Sequence, residues 1–239
     1  MKLYADLHIH SRYSRATSKN LTIENLSKWA KIKGINLLGT GDFTHPKWLD
    51  ELKNNLNEED GILKDKHGMN YILQTEVSNM FRQDDRQRKI HNIILAPNFE
   101  TVDQINEHLS TKGKLASDGR PILGKYPACN LVEDLKSISK DIHIIPAHIW
   151  TPWFSLFGDK SGFDNINDCF LDQTKHIFAL ETGLSSDPAM NWRLSQLDKY
   201  TLISNSDLHS FWPWRIGRES NVINTNHLSY SGLIDAIRD

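Results

Sequence analysis

Cysteine is scarce in this chain: Cys129 and Cys169 are the only two among 239 residues. Two isolated thiols cannot build a disulfide framework. Neither lies in a Cys-x-x-Cys pair, which excludes a thiolate zinc site within the chain and points to a reducing interior. Long hydrophobic runs are missing as well. No apolar stretch is long enough to cross a bilayer and no cleavable leader opens the sequence, so a cytoplasmic protein with no membrane partner is expected. Charge of one sign is not in excess, since 28 Lys and Arg stand against 30 Asp and Glu for a formal net charge of -2. That excludes a protein-wide attraction to nucleic acid, though not a local basic patch. Repeats, low-complexity tracts and shifts of composition are absent too. One domain over residues 1–239 is therefore expected, either a complete small protein or the first domain of a longer one. No motif asks for an organic cofactor, and nothing signals an oligomeric state.

What the chain does have is histidine. Eleven occur, and His8, His10, His91, His148 and His209 fall inside or at the ends of apolar runs, where a solubilising histidine would not usually sit. The runs themselves are 2–10, 35–43, 71–77, 89–96, 142–149, 177–181 and 200–207. They are unbroken rather than alternating, as in strands buried on both faces of a parallel sheet or barrel. Helix signals lie between them. Thr22 caps one helix, with Asn25 at the capping-box position and Gly34 as its stop. Thr101 starts another with Gln104 at the favoured position, and 130–139 reads as a third. Asp187-Pro188 opens a fourth running through Trp192 and Leu197, and 231–238 is the terminal helix. This alternation predicts an α/β fold, a (β/α) barrel of about seven units. Three segments interrupt it: a polar excursion at 54–70, a charged loop at 80–89, and an aromatic, Gly-containing lid at 150–168.

Ligand-type side chains gather where such a barrel places its active site, at the C-terminal ends of strands. His8 and His10 end the first and, two residues apart on a strand, share a face. Asp42 ends the second, with His45 three residues on. Glu76 ends the third, His91 lies early in the fourth, His148 ends the fifth, and Asp207 and His209 end the last. The mixture of imidazole and carboxylate suits zinc, manganese or iron and is too rich in nitrogen for magnesium or calcium. Nine ligands exceed the needs of one ion. Two or three divalent ions sharing a bridging carboxylate would use them, an arrangement suited to phosphate ester hydrolysis.

His8-x-His10, Glu76, His91, His148 and Asp207-x-His209, in that order along the whole chain, resemble the PHP family, the polymerase and histidinol phosphatase domains. Asp-Leu-His-Ile-His-Ser-Arg-Tyr-Ser-Arg-Ala-Thr-Ser-Lys at 6–19 and Leu-Leu-Gly-Thr-Gly-Asp-Phe-Thr-His-Pro at 37–46 are similar to one branch of it, the PHP domain of endonuclease Q, a DNA repair nuclease that nicks on the 5′ side of deaminated bases. The resemblance implies a distorted (β/α)7 TIM-like barrel of the PHP type, a trinuclear and usually zinc site, phosphodiester hydrolysis and DNA as substrate. It also implies further domains, one with a cysteine zinc site, that fall outside these residues. Carried over, His8, His10, Glu76 and Asp207 hold one ion. Glu76 bridges to a second that His91 and His148 also bind, and His209 binds a third. Asp207, Glu76 and His209 are the catalytic candidates, Asp207 as the group that orients or deprotonates water. The chain departs from the pattern at Ser14, Arg15 and Ala16, where many members have a His or Asp. It departs again at Gly41-Asp42-Phe43, where many have Thr-Asp-His. Asp42 or His45 would then take over, and two ions are the alternative to three. Asp42 reads equally as an acid that orients a histidine.

Positive residues sit close to these strand ends: Arg12, Arg15 and Lys19 after the first, Arg82, Arg86, Arg88 and Lys89 in the charged loop, Arg215 and Arg218 after the last. As a group they would suit a phosphate backbone, against the plainer reading of a solvated face. Trp150, Trp153, Phe154, Phe157, Phe211, Trp212 and Trp214 would stack on an unpaired base or simply fill the core. His67, His108, His176 and His227 read as surface residues, and His143 starts its run at the wrong end for a ligand. The competing functions are a small-molecule phosphatase of the histidinol phosphatase kind, a PHP module without activity of its own, and an amidohydrolase barrel. The last normally wants a bridging lysine that no strand here supplies.

Overall fold

The computed structural model describes residues 1–239. In chain order its first half comprises β1 (Lys2–Asp6), α1 (Ile23–Lys33), β2 (Leu37–Gly39), α2 (Pro46–Asn55), β3 (Leu56–Glu59), β4 (Ile62–Asp65), β5 (Asn70–Gln83), β6 (Arg86–Ala96) and α3 (Phe99–Ser110). Then come β7 (Ile122–Gly124), α4 (Ala128–Ile138), β8 (His143–Pro146), α5 (Ile166–Phe170), β9 (Ala179–Glu181), α6 (Pro188–Asn191), β10 (Thr201–Ile203), β11 (Asn221–Asn224) and α7 (Tyr230–Arg238). No helix is long and apolar enough to cross a membrane.

All seven apolar runs contain a strand, and the helix signals mostly hold. The Thr22 hydroxyl accepts from the Asn25 N–H at 3.2 Å, and Gly34 closes α1 at φ 83°. The start of α3 is corrected: Asn98, not Thr101, is the cap, its side chain accepting from the Thr101 N–H at 2.8 Å. The expected long helix after Asp187 stops at Asn191, and a short 3-10 turn at Ser195–Leu197 follows. Helix α2 escaped the sequence reading. Pro46 stands in its first turn, where a missing N–H costs nothing.

The sheet differs from the expected barrel in two ways. First, it is mixed. β1, β2 and β5 run parallel, but β6 is antiparallel to both β5 and β8, and β11 antiparallel to β1. The reason is the 80–89 segment, which is not a loop. β5 and β6 continue through it and turn on Asp84 and Asp85 alone, at φ 51° and 57°, the left-handed pair that a two-residue hairpin needs. Because β6 returns, its early residues lie at the same end as the late residues of β5, with His91 opposite Ser78. That puts His91, early in its strand, at the ligand end. The 54–70 segment likewise is no mere excursion, since β3 and β4 form a hairpin that extends the sheet beside β5.

Second, the sheet is not closed. One sheet of nine strands and one of two, β9 with β10, make up the structure. Few backbone links span the seams: Ile149 N–H to the Glu181 carbonyl at 2.9 Å on one side, and on the other Asp207 N–H to the His8 carbonyl at 3.0 Å and His10 N–H to the Leu208 carbonyl at 3.3 Å. Side chains replace the missing ladder. Asn205 Oδ1 accepts the Leu7 N–H at 2.8 Å, and Asp6 Oδ1 accepts the Ser206 N–H at 3.0 Å. Strands of three residues, with buried polar side chains at their ends, leave little backbone for a continuous ladder. One apolar cluster nevertheless draws on Leu3, Leu37, Ile72, Ile93, Ile145, Ala179 and Ile203, one residue from each of the seven strands, and on Leu233 and Ile234 of α7.

Candidate metal centre

His8, His10, Glu76 and Asp207 bring ligand atoms within 4.8 Å of one another, and so do Glu76, His91 and His148. Glu76 belongs to both groups. Its Oε1 lies 2.8 Å from His91 Nδ1 and 3.1 Å from His148 Nε2. Its Oε2 lies 3.2 Å from His10 Nε2 and 3.6 Å from His8 Nε2. Asp207 Oδ1 completes the first group, 3.1 Å from His10 Nε2 and 3.7 Å from His8 Nε2.

The far side of three of the four imidazoles is held. His8 Nδ1 meets the Glu181 carboxylate at 3.0 Å. His10 Nδ1 meets Asp42 Oδ1 at 2.9 Å. His148 Nδ1 pairs with the Thr151 hydroxyl at 3.0 Å. A carboxylate behind a histidine fixes the ring and makes its other nitrogen a better donor to a cation. Three site residues are not glycine yet have positive φ: Asp42 at 43°, His148 at 30° and Asp207 at 45°. Such backbone costs on the order of 1–3 kcal/mol each and persists only where surrounding bonds over-determine it.

The electrostatics are those of a cation site. Burial alone would push the His8 and His10 rings down, but Glu181 and Glu76 around His8, and Asp42 and Asp207 around His10, hold both well above the usual imidazole range. Burial opposes charge on Glu76 and Asp207 as well. His91, Arg120 and His8 outweigh it at Glu76, and His10 and His8 outweigh it at Asp207, so both stay below the usual carboxylate range. His91 goes the other way, burial taking it down to about 4. His8 Nε2 is buried without a hydrogen-bond partner, although it faces two carboxylates just beyond bonding distance. Ligands spaced around a common centre look like this. The donor set therefore fits two divalent cations bridged by Glu76.

The other sequence candidates fall outside both groups. Asp42 has no oxygen left for an ion. Oδ1 takes His10, while Oδ2 accepts from the Ser11 N–H and hydroxyl, both at 2.6 Å, and from the Ser14 hydroxyl at 2.8 Å. Its contact with His10 Nδ1 is that of an acid that orients the ring. His45 stacks on Tyr13, ring centroids 4.4 Å apart. His209 sits at the rim with Nδ1 3.0 Å from the Asp207 carbonyl and its ring against His10.

Two residues that sequence reasoning missed are central. Glu181 ends β9, fully buried, and besides His8 it accepts the His148 N–H at 2.8 Å and the Asn205 amide at 2.9 Å. Its signal was an acid closing an apolar run, the same signal that picked out Glu76. Arg120 bonds Glu76 Oε2 at 3.1 Å and comes from a polar loop with no motif. Replacing Glu181 with Gln should weaken metal affinity roughly 10- to 100-fold, the usual cost of losing an orienting partner, with little change in far-ultraviolet circular dichroism. An unchanged zinc affinity would reduce Glu181 to a purely structural role.

A cleft of about 390 Å³ opens on the centre, lined among others by His91, Arg120, His148, Trp153, Asp207 and Arg218. Of the nominated cations, Arg218 reaches it, its Nε donating to the Ser206 carbonyl at 2.8 Å. Arg15, Lys19, Arg86 and Arg215 are exposed, and Arg12 pairs with Glu51. Arg82 is exposed at the hairpin tip beside Asp85, at 3.2 Å. Arg88 instead turns inward over the Phe163 ring at 4.1 Å and bonds the Gly162 carbonyl, so its charge is not offered to the cleft. The 150–168 segment folds back along β6, the Phe154 carbonyl accepting the His91 N–H at 3.0 Å. Lys89 lies 5.3 Å over Trp153 and 5.1 Å over Phe154.

No family model matches the sequence. Endonuclease Q from Pyrococcus furiosus, a lesion-specific endonuclease, is 34% identical with a TM-score of 0.89 over 100% of this chain and 56% of that protein. Endonuclease Q solved with a 27-mer duplex carrying an abasic lesion at its active site gives the same identity and TM-score over 57% of its length. In sequence and in structure the chain is similar to endonuclease Q, in line with the PHP resemblance of its motifs. The uncharacterised protein YqxK of Bacillus subtilis is 31% identical across 99% of this chain and 62% of its own length. The chain thus spans little more than half of these relatives. PsfC of Pseudomonas syringae, at 15% identity and a TM-score of 0.62, shares the fold alone.

Proposed function

We propose that this PHP chain is a metal-dependent phosphodiesterase unit that cuts DNA beside damaged, in particular deaminated, bases. The observation that carries the reading is Glu76, one buried carboxylate shared by two ligand groups, in a chain 34% identical to endonuclease Q. Its strands are read as a distorted (β/α)7 barrel opened at two seams, a reading supported by the apolar cluster to which all seven contribute. Zinc is the favoured ion, given four imidazole ligands against two carboxylates. A bound pair of such ions supplies Lewis acidity, making water nucleophilic at neutral pH and stabilising charge on phosphorus oxygens.

The chain's own residues divide the remaining work. Asp207 is the ligand carboxylate that reaches the cleft, its side chain 30% exposed where that of Glu76 is 0%. Held below the usual carboxylate range, it stays an acceptor and orients water. His209 donates its Nδ1–H to the Asp207 carbonyl, which leaves Nε2 as an acceptor at the rim. The long β5–β6 hairpin carries Arg82 and Arg86 some 20 Å beyond Glu76, at about 3.3 Å per residue, where a duplex backbone could lie.

Zinc-loaded protein is expected to nick a duplex containing one deoxyuridine or deoxyinosine, and chelation or His8→Ala to abolish the nick. Reversing Arg82 and Arg86 to Glu should impair nicking while sparing para-nitrophenyl phosphate turnover. Turnover of the small ester with no nicking of any duplex would replace this reading with a phosphatase.

A further inference from the structure

The two ligand groups leave one positive charge at the centre that is not an ion. Arg120 enters from the loop before β7 and its Nη1 donates to Glu76 Oε2 at 3.1 Å. The loop is fixed from several sides. Gly119 N–H donates to the Tyr13 carbonyl at 3.0 Å, Ser78 N–H to the Pro121 carbonyl at 3.0 Å, and the Thr44 hydroxyl to the Gly119 carbonyl at 3.2 Å. A Cβ at position 119 would lie 2.3 Å from Asp42 Oδ2 and 2.4 Å from the Ser14 hydroxyl, so glycine lets this backbone press against the acid that orients His10. The backbone of Arg120 is thus fixed by its loop, and the bond to Glu76 holds the guanidinium.

Its surroundings are acidic and catalytic. Glu76 and Asp207 both favour its charge, and its charge in turn weighs on His209. A further ligand set around His209 is not formed. Asp42 spends both oxygens on His10, Ser11 and Ser14, and Phe43 is buried in the core. Only one bond ties the guanidinium to protein, and the side chain, a quarter exposed, lines the cleft beside His91, His148 and Asp207. Most of its fork of N–H donors therefore faces the cleft, and such a fork matches phosphate oxygens in geometry and charge.

We propose that Arg120 stands in for a third cation: beside a centre of two ions, its open donors bind a non-bridging oxygen of the scissile phosphate. This rests on the phosphodiesterase reading above. The test uses zinc-loaded wild type, Arg120→Ala and Arg120→Lys. Bound zinc is measured by mass spectrometry, inorganic phosphate affinity by calorimetry, and nicking on lesion-bearing duplex. Two zinc ions per chain are expected in all three. Phosphate affinity should fall roughly 10- to 100-fold in Arg120→Ala, the span of one charge-assisted hydrogen bond, with part regained in Arg120→Lys. A third zinc in wild type, loss of zinc in Arg120→Ala, or unchanged phosphate affinity in that variant overturns the proposal. Wild type that binds no phosphate and cuts no phosphodiester overturns the phosphodiesterase reading and the proposal together. Wild type that cuts while Arg120→Ala cuts equally well overturns the role of Arg120 alone.

Discussion

Glu76→Ala protein is expected to hold less than one zinc ion per chain and to nick DNA at least about a thousandfold more slowly than wild type, a barrier increase of about 4 kcal/mol. The size follows from the double membership of this carboxylate. Loss of His91 or Asp207 removes a ligand from one group, whereas loss of Glu76 removes one from both and breaks the bridge between them. The variant also strips Arg120 of its partner, leaving a cation over a cluster of imidazoles. Metal-free protein should lose stability for the same reason, by about 3–5 kcal/mol if the orphaned charge stays buried. Glu76→Gln separates the two effects. It keeps the volume and a hydrogen bond for Arg120 but lacks the charge, so it should fold well and still bind zinc poorly. Metal content by mass spectrometry and single-turnover nicking check both variants. Two zinc ions retained in Glu76→Ala would refute the shared bridge.

Most parts of this site that were readable in sequence, His91 excepted, share one property: each sits at the end of an apolar run. His8, His10, Glu76, His148 and Asp207 stand out because a polar, ionisable group there needs a partner. Glu181 obeyed the same rule and went unread, since it completes no motif with a neighbour. Arg120 could not be found that way. It lies in a polar stretch, and only the packing of Gly119 on Asp42 and Ser14 carries it to Glu76. Arg88 shows the reverse error. Taken as part of a loop it counted among the exposed cations, but on a strand it shares a face with Ile90, and both are buried. Lys89, one residue on, shares the face of His91 instead and caps Trp153. The strand directions went unread for a related reason. Unbroken apolar runs report burial on both sides, not the direction of the strand, and a two-residue turn of Asp84 and Asp85 reads from sequence as charged loop. The seam bonds of Asn205 and Asp6 are equally silent, because nothing local distinguishes a polar side chain that replaces a ladder bond from one that meets water.

Zinc affinity is expected to rise steeply with pH above neutrality, about tenfold per unit for each imidazole proton displaced and up to about 1000-fold when His8, His10 and His148 all release one. Without metal, Glu181 and Glu76 keep a proton on His8, and Asp42 and Asp207 keep one on His10, both well above the usual range despite burial. An ion must displace these protons, since only neutral imidazole can ligate, and each proton released contributes a factor of about ten per pH unit. His148 is raised as well and steepens the dependence further, whereas His91, near 4, has no proton to lose at neutral pH. The slope should vanish above the raised values. The same shifts fix the stability of the metal-free chain. A histidine whose folded value lies above its unfolded value of about 6.5 contributes stability that is fully present below that pH and lost as pH climbs through the folded value. Metal-free protein should therefore melt lower in alkali than at pH 6, because protons that offset the buried carboxylates are gone. Zinc-loaded protein should not follow it, since the ions hold those carboxylates in place of protons, and the gap between the two melting temperatures should widen with pH. Chelator competition between pH 6 and 8, with calorimetry in buffers of different ionisation enthalpy to count protons, checks the first part, and paired thermal melts the second. Zinc affinity independent of pH, with no proton released, would mean that His8 and His10 are already neutral and that their carboxylates serve packing, not the reception of a cation.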